Sequence, residues 1–426
     1  MAARGRTLCA PDGTPFFGWR PIFFGKNSRP VPIYSLKRFS ERLAWSTPAN
    51  PYSLLLEQKR RAGVRLLDLT TANPTEAFAD YPHTEIARAY GAIANFRYEP
   101  EPLGMRSARQ IVAAWYAQHG ISVTADRIAL TASTSEAYSI LFKLLCDPGD
   151  EILVPCPSYP LFEYLARAES VKTAQYQLDY DGSWFVNFAS MQKAISGRTK
   201  AIVLVNPNNP TGSFLKVQEA KKLARLAEKH GIALISDEVF MTYPAADLVN
   251  GQVRSLIGHD EILSFSLNGL SKAAGMPQMK LGWIAVNGPA TEVASALTKL
   301  ELLLDNYLSV ATPVQYALGE LLAIGAGIQT RIAARLRENR EALSALKDSP
   351  IEALTGEGGW SAILQVPSVR TEEDWISKLL TDEGVVVQPG YFYDMAKEAF
   401  VMLSLITRPT DFAEGLQKLK HLALRC

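Results

Sequence analysis

The sequence predicts an α/β protein with a mainly parallel sheet covered by helices on both faces. Two observations lead there. Runs that are apolar at almost every position recur at 127–131, 151–155, 200–205, 232–236 and 281–286. A strand with no polar face has to be buried on both sides, as in a parallel sheet between helices. Helical stretches alternate with these runs. Residues 135–145 place Ala137, Ile140, Leu141, Leu144 and Leu145 on one face, and 217–230 form another such stretch. Asp147-Pro148-Gly149-Asp150 is a turn between helix and strand.

The remaining chain fits around that unit. Long helices are expected at 290–307 and 314–346. A smaller α+β segment opens at Gly356 and runs to the C-terminus. The expected division is an irregular extension at 1–33, a segment at 34–75 joining the small domain, a large domain at 76–310 and a small C-terminal domain at 311–426. The extension carries Arg4, Arg6, Arg20, Lys26 and Arg29 against Asp12 alone. Its composition resembles a targeting leader, but Pro11, Pro15, Pro21, Pro30 and Pro32 oppose an amphipathic helix, and no apolar h-region is visible.

Composition narrows the function classes. With 47% hydrophobic and 20% charged residues in a chain of 426, a large core is possible. A formal net charge of +1 gives no reason to expect a nucleic-acid partner. Cys9, Cys146, Cys156 and Cys426 show neither metal-ligand spacing nor a disulfide framework, which suits a reducing cytoplasm and no bound metal. No apolar run approaches the length of a membrane span.

The chemistry sits in an ordered series of motifs. Asn206-Pro207-Asn208-Asn209-Pro210-Thr211-Gly212 comes first, then Ser236-Asp237-Glu238-Val239-Phe240, then Asn268-Gly269-Leu270-Ser271-Lys272. Asn209 precedes Asp237 by 28 residues, and Asp237 precedes Lys272 by 35. A carboxylate and a lysine delivered from successive strand ends fit pyridoxal 5′-phosphate (PLP). The lysine would form its Schiff base, and the aspartate would keep its pyridine nitrogen protonated. Upstream, Thr131-Ala132-Ser133-Thr134-Ser135 joins a strand to a helix start, where N–H and O–H donors and the helix dipole favour an anion. Ordinary helix capping would use the same residues.

In this order the motifs resemble the class I/II aminotransferases of PLP fold type I, from about Leu66 to about Leu416. The resemblance implies a seven-stranded-type sheet and a PLP-dependent aminotransferase, with Lys272 and Asp237 as catalytic residues. It implies that Ser133, Thr134 and Ser135 hold the cofactor phosphate. Tyr159, in Pro157-Ser158-Tyr159-Pro160, would stack on the ring, and Asn209 would donate to its phenolic oxygen. Ser271 would join the cofactor contacts beside Lys272. Tyr98 would reach the phosphate of a neighbouring subunit, which implies a homodimer with shared active sites.

The chain also departs from the family pattern. Lys280 stands where an arginine usually grips the phosphate; it keeps the charge and loses the planar fork. Gly269 replaces a frequent phosphate-binding serine. Phe240 stands at the place of a tyrosine that usually contacts the cofactor. In Phe400-Val401-Met402-Leu403-Ser404, Met402 occupies the position of the arginine that normally binds the substrate α-carboxylate. Arg408 and the loop at 70–75, which contains Asn73, are the candidates to replace it. The leading expectation is transfer of an amino group from an amino acid to a 2-oxo acid. The alternative is a PLP-dependent C–S lyase or another elimination enzyme. A regulatory PLP-fold protein fits less well, since Lys272 is intact and no DNA-binding region is appended.

Overall fold

A computed structural model describes residues 40–43, 50–92, 97–246, 251–397 and 399–425. The expected extension at 1–33 lies outside the described residues. The described residues divide into two compact units: residues 40 and 50–64, and residues 41–43 with those from 65 onward. In the first unit, helix Pro51–Arg61 starts on Asn50, whose side chain accepts from the Tyr52 N–H at 2.9 Å.

The second unit holds both principal sheets. The large sheet contains β1 (Ile128–Thr131), β2 (Glu151–Cys156), β3 (Lys172–Tyr180), β4 (Trp184–Val186), β5 (Thr199–Val205), β6 (Ala233–Asp237), β7 (Ser264–Gly269) and β8 (Gly282–Asn287). Its order is β1-β8-β7-β6-β5-β2-β3-β4. Strands β7, β6, β5, β2 and β3 run parallel in that order; β8 runs antiparallel to both its neighbours, and β4 turns back along β3. The sheet is therefore the expected mainly parallel one, with an additional edge hairpin, β3–β4. That hairpin escapes an all-apolar search because β3 mixes buried Tyr176 and Leu178 with half-buried and exposed polar positions.

Strand periodicity explains the two-sided burial. Ile152, Val154, Ala201, Val203 and Ile235 join one core cluster, together with α1 (Thr134–Leu145) and α3 (Ala290–Asp305). Their neighbours Leu153, Ile202, Leu204 and Leu234 face the other way and pack with α2 (Val217–His230). Successive strand side chains point to opposite faces, so both faces have to be apolar. Helix α2 ends on Gly231 at φ 62°, where a glycine tolerates the left-handed stop.

A second, antiparallel sheet contains β9 (Glu352–Ala353), β10 (Ser361–Gln365), β11 (Gln388–Pro389) and β12 (Phe400–Ser404), in the order β9-β10-β12-β11. Leu67–Asp68 pairs in parallel with Val385–Val386. Helix α4 (Thr312–Ala342) braces the segment that follows β7. A Cβ added to Gly325 would lie 2.6 Å from Ala274 Cα, so the glycine sets how closely the helix approaches. Gln329 on the same helix donates to the Ala273 carbonyl. Helix α5 (Pro409–Leu424) closes the chain.

Candidate functional site

Strand polarity gathers the motifs. The carboxyl ends of β1, β2, β5, β6 and β7 lie along one edge of the large sheet, where open parallel sheets bind ligands. The turn at 132–133 follows β1, and Ser158 and Tyr159 follow β2. The Asn206–Gly212 string follows β5, and Asp237 ends β6. Lys272 sits in the single turn Leu270–Ala273 directly after β7.

Lys272 lies between aromatic walls. Its Nζ is 4.3 Å from the centre of the Trp360 ring and 5.5 Å from that of Phe240, within cation–π range. The two rings meet edge to face at 5.4 Å. Burial lowers the Lys272 pKa to about 8, with the charge of Asp237 pulling the other way. The Tyr243 hydroxyl donates to the Lys272 carbonyl at 2.7 Å. That phenol is therefore spent on the backbone and does not stand in for the one Phe240 lacks.

Asp237 is held by two neutral donors. The Val239 N–H reaches Oδ1 at 3.2 Å, and the Tyr138 hydroxyl reaches Oδ2 at 3.0 Å. Burial nonetheless pushes its pKa up to about 6, opposed by those two bonds and by Lys272. The adjacent Glu238 is fully buried and has its own donors: Ser255 Oγ at 2.6 Å, the Leu256 N–H at 2.9 Å and Ser266 Oγ at 2.9 Å. Burial lifts its pKa to about 7.

The other expected residues divide by neighbourhood. Asn209 is half-buried, and its Oδ1 accepts from Ser361 Oγ at 2.9 Å, which leaves its Nδ2 to donate. Ser133 caps α1, its Oγ accepting from the Glu136 N–H at 3.1 Å. Thr134 and Ser135 are half-buried in the first turn of that helix. Gly282 permits the approach of that turn: a Cβ there would lie 3.0 Å from the Ser133 carbonyl carbon. Tyr159 is half-buried against the cluster containing Met402 and Tyr393, and burial raises its pKa. Ser271 is half-buried beside Lys272. Lys280 is exposed with φ 50°, two residues ahead of β8.

Tyr98, Asn73 and Arg408 show other surroundings. Tyr98 is 72% exposed. Asn73 caps the turn Pro74–Ala77, its Oδ1 accepting from the Thr75 N–H at 3.1 Å and its Nδ2 donating to Glu76 at 2.9 Å. Arg408 precedes α5, largely exposed, with Asp411 at 3.9 Å. Met402 is buried between Ile363 and Gln388 in the second sheet and offers no charge. Sequence reasoning missed Trp360 and Tyr138, both of which touch the central residues. Gly358-Gly359 before Trp360 was the available signal: Gly358 marks a backbone approach too tight for a side chain, and Gly359 takes a left-handed φ of 75°. A Cβ on Gly358 would lie 2.9 Å from the Tyr243 carbonyl oxygen.

Known proteins resemble the chain over most of its length. The sequence profile described as aminotransferase class I and II matches residues 71–411. A glutamate-pyruvate aminotransferase of Haemophilus influenzae is 27% identical over 64% of this chain and 66% of its own length. The chain thus spans just under two thirds of that relative. An alanine aminotransferase of Mycobacterium bovis is 26% identical over 87% of this chain and 88% of its own. Among solved structures, an alanine aminotransferase from Pyrococcus furiosus superposes with a TM-score of 0.81 at 22% identity. It covers 91% of this chain and 100% of its own, which establishes the shared fold.

The buried ammonium has a thermodynamic consequence that can be measured on the cofactor-free chain. Folding lowers the Lys272 pKa from 10.5 to about 8, so the native state binds fewer protons than the unfolded one between those values. The Lys272 contribution to stability therefore rises with pH from 8 to 10.5 and is lost as pH falls through 8. Denaturant unfolding of wild type and Lys272→Met across this window should show a smaller wild-type deficit at the alkaline end. Parallel curves would contradict a desolvated Lys272.

Proposed function

The chain belongs to the class I and II aminotransferases, and from that membership we propose that it moves an amino group from an amino acid to a 2-oxo acid with PLP held at Lys272. The observation that carries this reading is the meeting of Lys272, Asp237 and Asn209 at one sheet edge. The residues suit the cofactor chemically. Asp237 is a desolvated carboxylate whose hydrogen-bond donors are both neutral, and a protonated pyridine nitrogen would supply the missing positive charge. The first turn of α1 is a helix N-terminus with hydroxyl side chains, and Gly282 keeps its approach clear.

When bound, the cofactor would supply a carbonyl for amines and an electron sink for the substrate α-carbon. Lys272 would hold it covalently between turnovers. Once released, its amine would move the α-proton, helped by a pKa near neutrality. Asp237 would keep the proton on the ring nitrogen. Asn209 Nδ2 would donate to the phenolic oxygen, and Tyr159 would cover one ring face. Thr134, Ser135 and the backbone of that turn would receive the phosphate, with Ser271, Lys280 and a partner's tyrosine equivalent to Tyr98 adding contacts. Trp360 and Phe240 would keep water from Lys272. The relatives described above carry aminotransferase names, which favours transfer over elimination and makes alanine, glutamate and pyruvate the first substrates to try.

The assembly we propose is a homodimer with shared sites. Tyr98, Leu302, Tyr307 and Tyr316 are large apolar or aromatic side chains left exposed, which a second copy would cover. The domains would be 76–310 for the large one and 311–426, joined by 34–75, for the small one. Free thiols at Cys146 and Cys156 suit a cytoplasmic setting, and no helix among the described residues is long and apolar enough to cross a membrane.

For the substrate carboxylate we propose Arg408 with backbone amides near Asn73. Ser404 supports this pairing: its N–H donates to the Leu69 carbonyl at 2.7 Å and its hydroxyl to that of Thr71, so the 69–73 loop is stitched to the strand end that leads to Arg408.

Two experiments test the reading. Borohydride reduction of the purified yellow protein should leave the cofactor mass on a Lys272 peptide. Lys272→Ala should lose that label and slow turnover on the order of 10²–10⁴-fold or more. Full activity in Lys272→Ala would overturn it. For the carboxylate, Arg408→Ala should raise KM for an amino-acid donor by roughly 10–100-fold, while amines lacking a carboxylate are unaffected. An unchanged KM would remove Arg408 from the site.

A further inference from the structure

One helix serves two parts of the site. The N-terminal turn of α1 carries Thr134 and Ser135, and Tyr138 lies three residues beyond Ser135, on the same helix face. Its ring is buried, tilted against Phe142 at 5.8 Å and edge-on to Phe162 at 5.3 Å. These contacts alone would be satisfied by phenylalanine. The hydroxyl is the addition, and a buried hydroxyl is costly without a partner. It donates to Asp237 Oδ2 at 3.0 Å.

This bond complements the one from the Val239 N–H to Oδ1. Two donors from different segments, one on each oxygen, fix the plane of the carboxylate. Without Tyr138, Oδ2 would face an apolar cluster and the carboxylate could rotate about its Cβ–Cγ bond. The other titratable groups nearby do not compete for this role. Glu238 is engaged by Ser255, Leu256 and Ser266, and Tyr176 donates to the Val203 carbonyl at 2.9 Å. Lys272 acts on Asp237 through its charge, with its ammonium set against Trp360.

We propose that Tyr138 is a positioning residue, whose hydroxyl holds the Asp237 carboxylate in the orientation at which it meets the ring nitrogen of the cofactor. The inference rests on the cofactor reading above for its consequence, and on the hydrogen bond alone for its geometry. Helix α1 would then couple the two ends of the cofactor site: the residues of its N-terminal turn would hold the phosphate, and its second turn orients the carboxylate. A donor to the anion also opposes the rise that burial imposes on the Asp237 pKa.

The test uses Tyr138→Phe in the full chain, which keeps the ring and removes only the hydroxyl. Isotope-edited infrared titration of aspartate carboxyls, on protein stripped of cofactor, should show Asp237 protonating at higher pH than in wild type. Cofactor affinity, followed by its visible absorbance, should fall by about tenfold, the usual scale for a hydrogen bond to a charged group. Phe142→Leu disturbs the same aromatic packing with the hydroxyl retained, and should leave the Asp237 titration unchanged. An Asp237 titration in Tyr138→Phe identical to wild type would overturn the proposal, as would an equal shift in Phe142→Leu. Failure of wild type to take up the cofactor would instead sink the functional reading, while the titration still decides the role of Tyr138.

Discussion

A carboxylate at the end of a buried parallel strand is the constraint around which this molecule is arranged. Asp237 terminates β6, a central strand whose faces are both covered, so its charge can sit only at the strand's carboxyl edge. There it is met by a tyrosine hydroxyl, a backbone N–H and the field of Lys272. Each is supplied by a different part of the chain. Burial still lifts its pKa to about 6. A desolvated anion with only neutral hydrogen-bond donors is poised for a cationic ligand, and that requirement links the sheet's topology to the proposed chemistry.

The second sheet completes the site from above that edge. The stretch 358–361 does this with four consecutive residues. The Gly359 N–H donates to the Tyr243 carbonyl at 2.9 Å, and its own carbonyl accepts from Arg340 at 2.7 Å. Trp360 covers Lys272, and Ser361 turns the Asn209 amide so that its N–H donors are free. The absence of a side chain at 358 is what lets the backbone leading to Trp360 pass so close to Tyr243. Tyr243 belongs to the same arrangement, because its hydroxyl fastens the Lys272 backbone.

Legibility in the sequence followed the range of the interactions. The buried strands, Asp237, Asn209 and Lys272 could be read because apolar runs and short motifs are local patterns, and parallel topology then gathers them at one edge. Trp360 and Tyr138 were harder to read: Gly358-Gly359 marks a tight backbone before Trp360, but no local pattern names Lys272 or Asp237, 88 and 99 residues away in the chain, as the group that its ring or the Tyr138 hydroxyl meets. The β3–β4 hairpin was hidden by the mixed burial and polar residues of β3, next to the edge strand β4. At Ser133 and Asn73 the local capping role and the proposed ligand role draw on the same side chains, and the caps are the interactions the structure displays. Met402 could be read as an uncharged residue in a strand, and the structure buries it in the second sheet.

In the proposed chemistry, Asp237 would keep a proton on the cofactor ring nitrogen. Nitrogen NMR of the protein loaded with 15N-labelled PLP reads that proton directly. The account predicts a protonated ring nitrogen in wild type at pH 8 and an unprotonated one in Asp237→Ala. An unprotonated nitrogen in wild type, or the same signal in both proteins, would contradict it.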